Sequence, residues 1–300
     1  MPPKVGDAIA PAARRWSGGG CLPAMPAHQS EDQVKELSTE IDPDGVAVVT
    51  FNMPERLNPL GPQGLRDLAA HLGKLSDDAA VTAVVLTGRG KAYSSGAGLN
   101  QLIDKLGTDG NAGMPETLMR EIFDTGVNPI QRTIAAMPKP VITAVNGIAA
   151  GGGVGLALAG DVVYASPNAS FRLTFVPNLS IVPDLGASWF FSRLAGRGRA
   201  LAAMITGDPI SAQQALDWGL VWKLVADDQL LDTAKATARR LAAGPRQMYP
   251  LLRQTIDAAS RHSLSDQLDL ERDLNLQLCG TAQFAEGVRA FLEKRRPQFQ

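Results

Sequence analysis

From Val34 onward, short continuous apolar runs alternate with stretches in which apolar positions recur every three or four residues. The first kind of run reads as a strand buried on both faces, the second as a helix with one buried stripe. On this pattern Gly45–Phe51 is predicted as a strand, Gln63–Leu75 as an amphipathic helix, and Ala83–Thr87 and Val141–Val145 as buried strands. Pro138 and Pro140 mark the entry to the Val141 strand, because proline cannot donate to a ladder and disfavours helix before it. Asp161–Ala165 and Ala169–Phe175 follow as strands around a Ser166-Pro167-Asn168 turn. Ser211–Trp218 and Leu230–Ala243 are predicted helices, the first with Ser211 as N-cap, and Tyr249–Lys294 carries helical periodicity broken near Gly280. Short strands separated by helices define an α/β fold, and no repeat of fixed period is present.

Two stretches lack either period. Residues 1–33 mix Pro, Gly and Ala with a few charges and are predicted as a disordered leader, whose apolar runs are too short for a secretory signal. The segment Asn100–Thr125, with Gly107, Gly110, Gly113 and Pro115, is either a mobile wall of a substrate pocket or a plain surface excursion. The expected organisation is a leader at 1–33, a core at 34–235 and a C-terminal helical segment at 236–300.

Composition narrows the class. A chain of 300 residues with 45% hydrophobic and 20% charged residues can bury a full core. A net charge of −1 and a pI near 6.3 carry no electrostatic footprint for nucleic acid, and no run reaches the apolar length of a membrane span. Cys21 and Cys279 lie too far apart to suggest a disulfide framework or a thiolate site, and a reducing cytoplasm is the simplest compartment. His28, His71 and His262 show no ligand spacing, so no metal is assigned.

The candidate chemistry lies in two glycine turns. Gly151-Gly152-Gly153 stands between an apolar strand and an apolar helix, where bare backbone suits close approach of a ligand. Lys91-Ala92-Tyr93-Ser94-Ser95-Gly96-Ala97-Gly98-Leu99 follows the Ala83 strand in the same way. Either run alone reads equally well as an ordinary strand-to-helix turn. Together they can aim two N–H groups at one carbonyl oxygen, which makes an oxyanion hole. The candidate acid or base beside them is Asp184, in the apolar run Leu179-Ser180-Ile181-Val182-Pro183-Asp184-Leu185-Gly186. Burial there raises a carboxyl pKa toward the range useful for proton transfer. From the residues alone the same aspartate also reads as the cap of a helix starting at Gly186 or Ala187. Asp161 reads as a strand-start or cap residue, and Asp208 as turn chemistry.

From about Glu36 to Phe299 the chain resembles the enoyl-CoA hydratase/isomerase (crotonase) superfamily. The resemblance rests on Phe51-Asn52-Met53-Pro54-Glu55-Arg56-Leu57-Asn58, Val84-Val85-Leu86-Thr87-Gly88, Lys139-Pro140-Val141, Val182-Pro183-Asp184 and Arg193-Leu194-Ala195-Gly196-Arg197, in that order. Ala215-Leu216-Asp217-Trp218-Gly219-Leu220-Val221 and the run from Glu286 to Arg295 extend it. It implies a spiral of ββα units with a C-terminal helical trimerisation segment, a homotrimer or homohexamer, and acyl-CoA thioester substrates. It implies no cofactor beyond the CoA of the substrate. Residue by residue, it places the two oxyanion donors at Ala97 and Gly152. CoA is implied along Arg56, Lys91 and Leu99, with Phe291 and Lys294 at the nucleotide end, given by a neighbouring subunit.

The departures from the family pattern refine the reaction. The two glutamates with which a family hydratase adds water fall on Gly155 and, by an ungapped count, Val176, neither of which handles a proton. A branch with a single aspartate in the Val-Pro-Asp motif matches Asp184. Phe171–Val225 and Leu268-Asp269-Leu270-Glu271-Arg272-Asp273 resemble most the isomerases of aerobic phenylacetate breakdown, although Gly98 stands where that branch has an aspartate. The expected activity is therefore acyl-CoA isomerisation, moving a double bond from 3-enoyl to 2-enoyl or isomerising a ring epoxide of an aryl-acetyl-CoA. The alternatives are an enoyl-CoA hydratase or thioester hydrolase on the same fold, and a non-catalytic acyl-CoA-binding subunit.

Overall fold

The first sheet is built from strands whose alternate residues enter two different cores. In β2 (Val46–Phe51), Ala47, Val49 and Phe51 join the main core, while Val46 and Val48 join a second one. Both faces are buried, which is why the strand reads as an unbroken apolar run. The sheet has six strands in the order β1 (Leu37–Ile41), β2, β4 (Ala83–Gly88), β7 (Val141–Val145), β9 (Val162–Ala165) and β12 (Lys223–Leu224). Only the β1–β2 pair is antiparallel. The computed structural model describes residues 36–98 and 113–299, which belong to one folded unit. The expected leader at 1–33, Leu99 and the segment 100–112 lie outside the described residues.

A smaller sheet orders β11 (Ile210–Ser211), β10 (Ser170–Arg172), β8 (Ile148–Ala150) and β5 (Ala92–Ser94), and β3 (Pro59–Leu60) pairs with β6 (Gly96–Ala97). The chain thus repeats one step. A strand of the large sheet is followed by a short strand outside it and then by a helix. In this way β2 and β3 precede α1 (Pro62–Asp77), and β4, β5 and β6 precede α2 (Glu116–Ile122) and α3 (Asn128–Ala136). β7 and β8 precede α4 (Gly152–Leu158), and β9 and β10 precede α5 (Ala187–Thr206). This is the succession of ββα units that the resemblance implies. α6 (Ala212–Asp217), α7 (Asp227–Ala242), α8 (Met248–Ala259), α9 (Leu264–Cys279) and α10 (Ala282–Leu292) complete the chain.

α1 lays Leu65, Leu68, Leu72 and Leu75 on the main core, and α7 closes the other face with Leu230, Ala234 and Ala238. Each fully buried Leu or Ile contributes roughly 1.5–3 kcal/mol. Lys139 is buried, and its Nζ donates to the Leu75 and Asp78 carbonyls at 2.5 and 2.6 Å. It thereby occupies the negative end of α1, while burial pulls its pKa down.

Several expected bounds shift. Glu116–Ile122, inside the stretch read as unpatterned, is helical and leads into a π-helical turn at Phe123–Val127. Only Ile122 of α2 is buried, too little for a stripe to show. The strand expected over Ala169–Phe175 ends at Arg172, and Phe175–Leu179 is a π-helical turn. Asp161 precedes β9, where its Oδ2 accepts from the Val141 N–H at 2.8 Å. The C-terminal helix breaks at 260–263 as well as at Gly280, and the expected boundary at 235 falls inside α7.

Candidate active site

The turn between β5 and β6 is suspended from two buried polar side chains. Asn58, left-handed at φ 54°, accepts the Met53 N–H through Oδ1 at 2.8 Å and donates to the Arg89 and Ala92 carbonyls at 2.9 and 2.7 Å. The Ser94 hydroxyl donates to the Asn58 carbonyl at 2.8 Å and accepts the Gly96 N–H at 3.1 Å. Gly96, at φ 82°, brings this turn against the second one. A Cβ on Gly96 would lie 2.6 Å from the Ala150 oxygen and 3.0 Å from the Gly152 nitrogen. Ala97 follows and is exposed.

The second turn joins β8 to α4. Gly151 has φ 53° and ψ −129°, a conformation open essentially to glycine alone. Its N–H donates to the Arg172 carbonyl at 2.9 Å. Gly152 is the first residue of α4, so its N–H has no carbonyl four residues back, and among the described residues no side chain caps this end. A Cβ on Gly153 would stand 2.4 Å from the Ser94 oxygen, so α4 is seated directly on β5.

Asp184 comes to the same place from the loop before α5. Its Oδ1 lies 3.0 Å from the point where a Gly152 Cβ would be, beside Leu185 Cδ1 at 2.7 Å. The carboxyl is half-buried, and desolvation pushes its pKa up to about 6. Among the described residues no other side chain donates to it, its one hydrogen bond being to its own backbone N–H. The cap alternative does not hold: Gly186 is the N-cap of α5, among the described residues no side chain caps that end, and Asp184 contributes its carbonyl instead, accepting the Ala187 N–H at 2.9 Å.

The loop is shaped by two consecutive left-handed residues, Leu185 at φ 46° and Gly186 at φ 71°. They drive the Leu185 carbonyl into α4, where it sits 2.0 Å from the position of an absent Gly155 Cβ. The space a side chain at 155 would need is filled by backbone. On its other side the Leu185 oxygen accepts the Nε2 of Gln131, from α3, at 2.8 Å. Val176, on the turn Phe175–Leu179, is 41% exposed and has nothing to ionise. Phe175 Cζ lies 4.0 Å from the absent Cβ of Gly151, and Trp189 and Phe190 meet edge to face at 4.8 Å just beyond Asp184.

The structure therefore brings Gly152, the Gly96–Ala97 turn and Asp184 together. Arg56 and Lys91 are exposed on adjoining turns, connected through Asn58 and by Pro54, whose Cβ is 2.8 Å from the absent Cβ of Gly90. Phe291, 83% exposed, and Lys294 stand at the end of α10, which packs on α9, and no described contact brings them to Asp184. Leu99 lies outside the described residues. Gln131 and the Leu185 carbonyl escaped the sequence reading, since a side-chain contact to a distant backbone oxygen leaves no pattern. Among the described residues no group of His, Cys, Asp and Glu is arranged to hold a metal, and no helix is long and apolar enough to cross a membrane.

The profile of the "Enoyl-CoA hydratase/isomerase" family matches residues 42–300. The chain is 41% identical to a 1,2-epoxyphenylacetyl-CoA isomerase of Escherichia coli (strain K12) over 256 residues, 85% of this chain and 95% of that protein. It is 33% identical to a short-chain-enoyl-CoA hydratase of Clostridium acetobutylicum, over 84% of this chain and 92% of that one. The crystal structure of an enoyl-CoA hydratase from Bacillus anthracis superposes with a TM-score of 0.78 at 31% identity, covering 88% of this chain and 98% of that chain.

Proposed function

The chain belongs to the enoyl-CoA hydratase/isomerase family, and from that premise we propose that it is an acyl-CoA isomerase working with a single carboxylate. The observation that carries this reading is the pairing of Asp184 with Gly152 while backbone fills the space at Gly155. Water addition by two carboxylates needs a second acid, and the site has no room for one at 155. The substrate class is an acyl-CoA thioester, and no cofactor is required beyond its CoA.

In this mechanism the Ala97 and Gly152 N–H groups hold the thioester oxygen. Asp184, ionised, removes a proton from the acyl chain, and the electron pair moves onto the thioester oxygen as a dienolate. The two N–H donors lower the energy of that charge, a contribution of several kcal/mol for preorganised donors. Asp184 then returns the same proton at the other end of the allylic system, so mass is conserved. One base suffices because both carbons lie on one face of one conjugated system. A ring-epoxidised aryl-acetyl-CoA is the second substrate of this reading, supported by the likeness to the E. coli isomerase. Arg56, Lys91 and Leu99 are proposed along the CoA chain. Phe291 and Lys294 of a neighbouring subunit are proposed at its nucleotide, in a cytoplasmic homotrimer or homohexamer.

Incubation with a 3-enoyl-CoA and with a 2-enoyl-CoA, followed by ultraviolet absorbance and product mass together, tests the reading. A conjugated product of unchanged mass from the first, and none hydrated from the second, is expected. A product heavier by one water from the 2-enoyl ester would instead establish the hydratase activity carried by the Clostridium relative's name.

A further inference from the structure

We propose that Gln131 is a positioning residue that sets the aim of the Asp184 carboxylate through the Leu185 carbonyl. The inference rests on the reading of Asp184 as the acid–base group. Asp184 receives no hydrogen bond from any other described side chain, so its direction is decided by its own backbone. That backbone is held at the next peptide. The Leu185 carbonyl is pressed on one side by α4 at Gly155 and held on the other by the Gln131 amide at 2.8 Å. Only the NH2 of an amide can meet a carbonyl oxygen, so the orientation of the Gln131 side chain follows from its partner.

Gln131 holds this contact at a cost to itself. Its Oε1 is buried and has no partner among the described residues. A glutamine kept only to fill space is better replaced by an apolar side chain of the same length, whereas this one buries an orphan acceptor to deliver one donor. Leu185 also sits at φ 46°, a region that non-glycine residues adopt only where the surroundings impose it. Gly155 supplies the space for that conformation, and Gln131 supplies the bond that keeps it.

The experiment compares Gln131→Met and Gln131→Glu with the wild type and with Asp184→Asn, using a 3-enoyl-CoA and a ring-epoxidised phenylacetyl-CoA as probes. Methionine keeps the length and has no donor, and glutamate keeps the shape and has no donor once ionised, so its rate is read at alkaline pH. The expected result is a melting temperature within a few degrees of wild type and a fall in kcat of about 10²-fold with KM within about twofold. Where one variant fails to fold, the other decides. An unchanged kcat in a folded variant, or a rise in KM at constant kcat, overturns the proposal while an inactive Asp184→Asn leaves the reading of Asp184 standing. Full turnover by Asp184→Asn, or no conversion of either probe by the wild type, overturns both.

Discussion

The turn of α4 against the Asp184 loop and the three C-terminal helices are held by opposite means. All seven residues of α4 are buried, and three of them are glycines on which added Cβ atoms would strike neighbouring atoms at 2.0–2.7 Å. In α9 no residue is buried, and in α8 and α10 only Ala258 and Ala290 are. The first of the C-terminal helices, α8, is tied to the core by a polar clamp instead, and α9 and α10 pack on from it. Arg253 of α8 pairs with Asp161 at 2.6 and 2.7 Å and donates to the Met137 and Lys139 carbonyls at 2.5 and 2.8 Å. The first region is specified by the side chains it lacks, so it has one permitted geometry. The second is specified by a few directional bonds and leaves Leu264, Leu276 and Phe291 open to solvent.

The largest effect expected from this contrast is chemical. Asp184→Asn leaves the packing intact and should lower kcat for 3-enoyl-CoA isomerisation by about 10³-fold, read by absorbance at saturating substrate. In the wild type the base must be ionised, so the rate should fall as pH drops through about 6. The same group predicts a stability signature. Its folded pKa lies above the unfolded value of 3.8, so the folded state binds more protons between about 4 and 6, and stability falls as pH rises through that window. The melting temperature of Asp184→Asn should therefore gain on that of wild type from pH 4 to pH 7. A constant difference would mean that the carboxyl is not held in a desolvated place.

Next in size is Gly155→Ala. One methyl 2.0 Å from the Leu185 oxygen must displace backbone, at a cost of about 3 kcal/mol, visible as a lower urea midpoint. A wild-type midpoint would show the Asp184 loop to be soft. Arg253→Met should cost about 2 kcal/mol and act locally, with amide exchange quickening in α8–α10 while β7 and β9 stay protected. Uniform quickening would make the two regions one cooperative unit and remove the distinction. The smallest effect is Gly73→Ala, in the middle of α1 with nothing within 4 Å of its added Cβ. It should raise stability by about 0.5–1 kcal/mol, so that the same substitution changes sign between two helices of one chain.

How far the sequence could be read depends on the kind of contact involved. β2, β4 and β7 were legible because burial on both faces leaves unbroken apolar runs. Ser211 was legible as an N-cap because the bond it makes, to the Gln214 N–H, is local. α2 was missed because it rests on the core through one residue, and the extent of β10 was overread because Phe175 is apolar for a reason other than strand pairing. Asp184 was legible as an acid in apolar surroundings, but whether it capped a helix or faced a glycine turn depended on the left-handed Leu185, a conformation that leucine does not announce.

By itself, the order of apolar runs and glycine turns determined the α/β layering and the two glycine turns, since these depend on periodicity and residue type within a few positions; it left Asp184 open between an acid and a helix cap. Only the tertiary structure decided that the Asp184 carboxyl stands beside Gly152, that backbone fills the space at Gly155, and that Gln131 holds the Leu185 carbonyl. Those contacts join residues tens of positions apart through backbone atoms, which every residue carries alike and which no sequence pattern distinguishes.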